Sequence, residues 1–453
     1  MVNSVLGQIN VAEVQLILRL PAGGDKLDGR LVKRNGGGGV LVAVLDGRAD
    51  CRHPDLIGRC SNFLIPGGTY RRYDSHGTHT SGIVAGKKHG IAGSARILSY
   101  GVFDDRAYVA TGTKLIDAWR SAGASGATIA NMSFGCARRA LCFTAAEVQA
   151  MADPNLKMLF VKAAGNDGTT LLTESIGVSA ATAAAAMARV VLVGSVDVNG
   201  TISSFSNRPG ETCLMYSGAS GCSTDTLWKY HFIVAPGRNI YSTLPNGMYG
   251  YMSGTSMATP LTAGAVGVVR EYLRKQGAAD PSAALLKASL IAGAVRIGTA
   301  AAKQQVFDND QGYGSVNVDN IVAPVSPLRT AFIDERTGVR TGEAKRYTMT
   351  LKANSNLRLV LAYSDYPGPA LVNNLNLILI SPTGKRYVGN QTSPTSLALD
   401  ARNNVEVIQV ARAAAGKWTV EVVGANVPQV RQDFALVCLG AITGAIVPTG
   451  KRR

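Results

Sequence analysis

Two histidines three residues apart, His76 and His79 in the stretch YDSHGTHTSG, stand out in a chain that has only five. Such a doublet offers two chemistries, a metal pair or a catalytic base. Protease zinc pairs commonly sit at i and i+4 with an intervening glutamate. Here the spacing is three, Gly77 and Thr78 intervene, and no third ligand suggests itself. The base reading gains from three other stretches: VAVLDGRADCRHPDL with Asp46, VKAAGNDG with Asn166, and YMSGTSMATPLTAG with Ser256. A serine hydroxyl is a poor nucleophile until an imidazole takes its proton. The imidazole in turn needs an acid to fix its tautomer and stabilise its cation. Aspartate, histidine and serine in that chain order is one of the orders that builds this geometry.

The elements that must position these residues are legible nearby. Residues 40–46, VLVAVLD, form an apolar run ending in an acid, the pattern of a buried parallel strand with a functional residue at its carboxyl end. Similar runs recur at Leu156–Ala164 and Val190–Val196. Alanine-rich segments of helical length, such as Gly112–Ala122 and Thr259–Arg274, complete the alternation. Strands alternating with helices predict an α/β fold: a doubly wound, mostly parallel sheet covered on both faces. After about residue 322 the texture changes. The segment APVSPL (323–328) reads as a linker, and short alternating runs at 357–363, 375–380 and 418–423 predict an all-β sandwich or jelly roll. The expected boundaries are an N-terminal segment 1–34 packing on a catalytic domain 35–322, the linker 323–328, a β-module 329–445 and a basic tail 446–453.

Composition bounds the function. The chain has 453 residues, 46% of them hydrophobic and 17% charged, enough for two cored domains and against global disorder. The formal charge of +16 comes from scattered residues. No aromatic-flanked RNA motif or basic recognition helix accompanies them, so a nucleic-acid partner is not expected. Seven cysteines fall into three short-range couples, Cys51 with Cys60, Cys136 with Cys142 and Cys213 with Cys222, leaving Cys438 alone. Without CxxC spacing they read as local disulfides of an oxidising compartment, the alternative being reduced, partly buried thiols. The N-terminus lacks the basic start, apolar core and cleavage site of a signal peptide, so a secreted protein would be present here in a mature or truncated form. The late apolar stretch Phe434–Pro448 is too short and glycine-rich to span a bilayer, although Lys451-Arg452-Arg453 leaves membrane contact open. A monomer is expected.

With GTSMATP and HGTH in the right order, the sequence resembles a subtilisin-like serine protease over roughly residues 35–322. The resemblance implies a secreted endopeptidase acting on protein or peptide substrates, with no required cofactor. It implies Asp46, His76 and Ser256 as the triad and Asn166 as side-chain donor of the oxyanion hole. His79 is then structural, with Asp74 or Ser75 capping its helix, and His53, His89 and His231 are ordinary surface or turn residues. Ser133, Phe134 and Gly135 match the strand that pairs with extended substrate, and Ala163, Ala164 and Gly165 complete the substrate-binding wall. Large apolar residues are the expected preference, although Glu174 would favour Lys or Arg if it approached the specificity pocket.

Two departures matter. The family usually carries Ser or Thr after the aspartate; here Gly47-Arg48 follows, and a hydroxyl that would help orient the carboxylate is missing. The segment Ala85–Ile91 is short and cationic, so the calcium loop of many subtilisins is not expected, although Asp55 matches one of its ligands. The tail resembles that of alkaline, oxidant-resistant subtilisins with a C-terminal β-barrel. Asn374 and Asn376 stand where relatives have aspartate, and calcium prefers carboxylates. Asp400 with Asn403 and Asn404 is left as a candidate calcium site, an Asx-rich turn being the plainer alternative. The rival function is a non-catalytic binding or adhesion protein on the same scaffold.

Overall fold

The structure, a computed structural model, describes residues 39–64, 73–103, 113–135, 143–175, 185–215, 222, 227–298, 305–352, 355–366, 371–391, 393 and 395–449. The expected N-terminal segment 1–34, Cys136, Cys142 and Lys451–Arg453 lie outside the described residues.

The first nine strands are β1 (Leu41–Asp46), β2 (Cys60–Leu64), β3 (Arg96–Gly101), β4 (Ile129–Met132), β5 (Leu159–Ala163), β6 (Glu174–Ser175), β7 (Val190–Val196), β8 (Leu214–Met215) and β9 (Phe232–Pro236). Seven of them form a wholly parallel sheet in the order β2-β3-β1-β4-β5-β7-β9. Strands β2 and β3 lie on one side of β1 and the later strands on the other. The winding therefore reverses at β1, and the crevice beyond its carboxyl end is where open α/β sheets place their ligands.

Both faces of β1 are covered, which is why it reads as a continuous apolar run. Val42 and Val44 pack with helices α1 (Ser75–Ala85), α4 (Thr255–Lys275) and α5 (Ala283–Gly293). Ala43 and Leu45 pack on the other side with α2 (Thr113–Ala124) and α3 (Ala145–Ala152). An antiparallel hairpin, β10 (Ile240–Leu244) and β11 (Met248–Met252), precedes α4.

The C-terminal module is a two-sheet antiparallel sandwich. One sheet orders β12 (Arg329–Val339), β19 (Gln432–Gly440), β14 (Ser355–Ala362) and β17 (Val405–Ala413). The other orders β16 (Arg386–Val388), β15 (Asn374–Ile380), β18 (Gly416–Asn426), β13 (Ala344–Leu351) and β20 (Ile442–Pro448). Strand β20 continues through residues that the sequence had assigned to a basic tail.

The two modules share a core. Val360, Ala362, Val405, Val407, Ala435 and Val437 of the sandwich belong to the same apolar cluster as Leu285, Leu290 and Ile291 of α5. The module also finishes both ends of that helix. Asp334 accepts the hydroxyl of the N-cap Ser282 at 2.7 Å, and Arg358 donates to the C-terminal carbonyl of Ala294 at 2.7 Å. Disulfides join Cys51 to Cys60 and Cys213 to Cys222, while Cys438 is a buried free thiol.

Candidate active site

Asp46 ends β1 at the switch point and is fully buried. Its Oδ1 accepts the Gly47 amide at 2.7 Å and the ring Nδ1–H of His76 at 2.7 Å. His76 stands in the first turn of α1. That turn starts where it does because Asp74 caps it, accepting the Gly77 amide at 2.7 Å, while the Asp74 amide donates to Arg48 O at 2.7 Å. Strand end and helix start are thus locked together. Burial works against the His76 imidazolium, but the hydrogen-bonded Asp46 carboxylate and the nearby Asp74 outweigh it and raise the pKa above 6.5. Asp74 itself is pushed above the ordinary carboxylate range by burial and by the Asp46 charge.

Ser256 is the second residue of α4, a helix that packs against α1. Its amide is among the first four N–H groups of that helix, which have no intrahelical acceptor and favour a negative charge. Its hydroxyl donates to the carbonyl of Ser133 at 2.9 Å. Asn166 follows β5 through Gly165, whose φ of 100° suits glycine. The Asn166 side chain is oriented by Thr255: its Oδ1 accepts the Thr255 amide at 2.8 Å and the Thr255 hydroxyl at 3.0 Å. With its oxygen so engaged, the amide presents Nδ2 away from Thr255. Asn207 braces the turn from behind, donating to Ala164 O at 3.0 Å and accepting the Asp167 amide at 3.0 Å. Thr255 and Asn207 had no signal of their own in the sequence, because a threonine beside the serine and an asparagine forty residues away look like ordinary polar positions.

Ser133, Phe134 and Gly135 extend beyond the carboxyl end of β4 and fall outside the strand itself. Two of their carbonyls are already taken: Ser133 O by Ser256, and Phe134 O by the amine of Lys162. Lys162 sits on β5 just before Ala163, Ala164 and Gly165, is buried, and lies 5.0 Å from the centre of the Phe134 ring. Burial drives its pKa down to about 8, against the opposing pull of Glu174 and then Glu147. Glu174 itself opens β6.

The other histidines correct the surface reading. His53 and His231 are buried, and His89 is half-buried against Tyr241 and Tyr249. His53 bonds Met248 O at 2.9 Å and His79 bonds Gly250 O at 3.1 Å, so both tether the β10–β11 hairpin. His231 accepts from the buried amine of Lys287 at 2.7 Å. His76 and His79 thus serve different partners. Asp55 is buried and accepts the Lys88 amide at 3.1 Å. Asp400 accepts the backbone amides of Arg402 and Asn403 on Oδ1 and the side-chain amides of Asn390 and Asn403 on Oδ2. All four donors are nitrogens, so Asp400 is hydrogen-bonded within an Asx-rich turn that includes Asn403.

An acid–imidazole pair at the switch point of a doubly wound sheet, with a serine in the first turn of a helix that packs against the histidine's helix, is the arrangement expected of an α/β serine hydrolase. Comparison narrows this: the chain matches the subtilase family (peptidase S8) over residues 37–314, and it belongs to that family. It is 35% identical over 239 residues to the thermophilic serine proteinase of Bacillus sp. strain AK1, covering 51% of each chain. It is 30% identical over 244 residues to subtilisin E of Bacillus subtilis strain 168, covering 51% of this chain and 56% of the relative. The chain thus spans about half the length of the curated relatives it matches. Among solved structures, the prenylagaramide maturation protease PagA is similar with a TM-score of 0.50 and 27% identity, over 66% of this chain and 96% of that one.

Proposed function

We propose that this chain is a serine endopeptidase that cleaves protein or peptide substrates through Asp46, His76 and Ser256. The observation that carries the reading is the 2.7 Å bond from His76 Nδ1–H to the buried carboxylate of Asp46. It leaves Nε2 as the free, basic nitrogen of the ring. The Ser256 hydroxyl turns from Ser133 O to Nε2 and gives up its proton as Oγ attacks the scissile carbonyl carbon. The resulting oxyanion is held by Asn166 Nδ2–H and the Ser256 amide. His76 then hands the proton to the departing amine, leaving an acyl ester on Ser256. Water repeats the sequence in reverse and frees the acid. Ser133–Gly135 and Ala163–Gly165 flank the acyl side of the substrate. Large apolar side chains are the preference that membership of the subtilase family implies. No metal enters a step. Two disulfides favour an oxidising compartment, and secretion is the reading consistent with them. Among the described residues no helix is long and apolar enough to cross a membrane.

The test is covalent labelling with a fluorophosphonate probe, with Ser256→Ala as control and circular dichroism to verify folding. Labelling that disappears in the variant supports the reading. A folded protein that refuses the probe overturns it and leaves a binding role for the scaffold.

A further inference from the structure

A buried carboxylate with two oxygens needs both of them fixed if one is to hold an imidazole in a single plane. Oδ1 of Asp46 is fixed by the Gly47 amide and by His76. Oδ2 faces helix α1, where the hydroxyl of Thr80 lies 3.1 Å away. Thr80 is itself fully buried. It stands four residues after His76, one turn further along the same helix face. The two oxygens of one carboxylate therefore span two successive rungs of α1.

We propose that Thr80 is a positioning residue: its hydroxyl donates to Asp46 Oδ2 and sets the carboxylate plane in which Oδ1 meets His76. The inference rests on the triad reading above and names a part of that machinery which no motif signals. It also accounts for Gly47-Arg48. A Cβ on Gly47 would lie 2.3 Å from the Asp74 carboxyl carbon, and one on Gly77 would lie 1.9 Å from Gly47 O. The Asp74 side chain fills the space beside Gly47 and the Gly47 carbonyl fills that beside Gly77, so a hydroxyl-bearing side chain at position 47 has no room while Asp74 caps the helix. The orienting hydroxyl comes instead from inside the helix. The competing acceptor for the single Thr80 proton is Gly77 O at 3.2 Å. An ionised, buried carboxylate is the stronger acceptor of the two.

The experiment compares Thr80→Val, which keeps the shape and loses the hydroxyl, with Thr80→Ser, which keeps the hydroxyl. Melting temperature and circular dichroism establish that each folds. Steady-state kinetics on a peptide substrate is one readout. The second, made in a Ser256→Ala background, is the downfield proton resonance of His76 Nδ1–H. Thr80→Val is expected to lose kcat by about tenfold to a hundredfold with KM little changed, the scale of a misplaced catalytic group. It should also broaden or shift that resonance. Thr80→Ser is expected to restore both. If Thr80→Val keeps wild-type kcat and an unchanged resonance, the hydroxyl serves Gly77 O alone and the proposal is overturned. If Thr80→Ser fails as badly as Thr80→Val, the methyl group and not the hydroxyl matters, and the proposal is again overturned. If the wild type hydrolyses nothing while the resonance still follows the hydroxyl, the positioning role stands and the endopeptidase reading falls.

Discussion

Acid should weaken this fold through one identifiable side chain, His79. It is fully buried in α1 and bonds Gly250 O at 3.1 Å. Burial is the main reason its pKa falls from 6.5 to about 4, with the His76 charge adding to the effect. The unfolded chain binds that proton near pH 6.5 and the folded protein only near pH 4, so between these values the unfolded state holds more protons. Stability therefore falls as the pH drops through this window. About 2.5 pKa units at 1.36 kcal/mol each amounts to roughly 3 kcal/mol, reached in full below about pH 4. The perturbation is His79→Gln, whose side-chain N–H can still serve Gly250 O but cannot take a proton. Urea unfolding would be followed across the window for both proteins, in a Ser256→Ala background to prevent self-digestion. Wild type should lose roughly 3 kcal/mol more than the variant between neutral pH and pH 4. His76 contributes with the opposite sign: its folded pKa is raised, so its stabilisation is present below pH 6.5 and lost as the pH rises. That contribution is common to both proteins and largely cancels. Parallel curves would refute the assignment of the acid sensitivity to His79.

Three shorter expectations stand beside it. Activity should fall as the pH drops through the His76 pKa, which lies above 6.5; Asp74→Asn, by removing a neighbouring negative charge, should move that acid limb of kcat/KM downward, and an unmoved limb would count against the electrostatic role of Asp74. Asn166→Ala should cost about 100- to 1000-fold in kcat, the scale set by the same loss in subtilisin itself, and a variant within a few-fold of wild type would remove Asn166 from the oxyanion hole. Deleting residues 329–453 should strip four valines from the α5 core at about 1.5–3 kcal/mol each. That sum is comparable with a whole domain's stability, so the truncated protein should melt far lower or aggregate; an unchanged melting temperature would show that the modules are independent.

What could be read in advance was local. Strand β1, a cap at Asp74 or Ser75 and the four stretches around Asp46, His76, Asn166 and Ser256 each declare themselves within a dozen or so residues, because strand burial and helix capping are short-range effects. The sandwich was legible too, but its attachment was not. LRLVLAY at 357–363 reads as a strand with one wet face, whereas Leu359 and Leu361 fill the sandwich and Val360 and Ala362 face α5. A strand buried on both sides by different modules looks the same as one edge of a freestanding sheet. A histidine misled in the other direction. His231, read as a surface or turn residue, is buried, and its partner Lys287 lies 56 positions away in sequence. Thr80 was hidden for a related reason: what gives it a role is the missing side chain at Gly47, thirty-three positions earlier.

The helix that the sandwich caps at both ends gives the two modules the relation of subunits. A cut anywhere in 323–328 would break the chain without breaking the apolar contact or the Ser282–Asp334 and Arg358–Ala294 bonds. A backbone nick at that exposed segment would then be survivable. The pieces would persist as a two-chain complex, and the sequence between the modules would be free to vary in length and composition while the surfaces on either side of α5 had to change together.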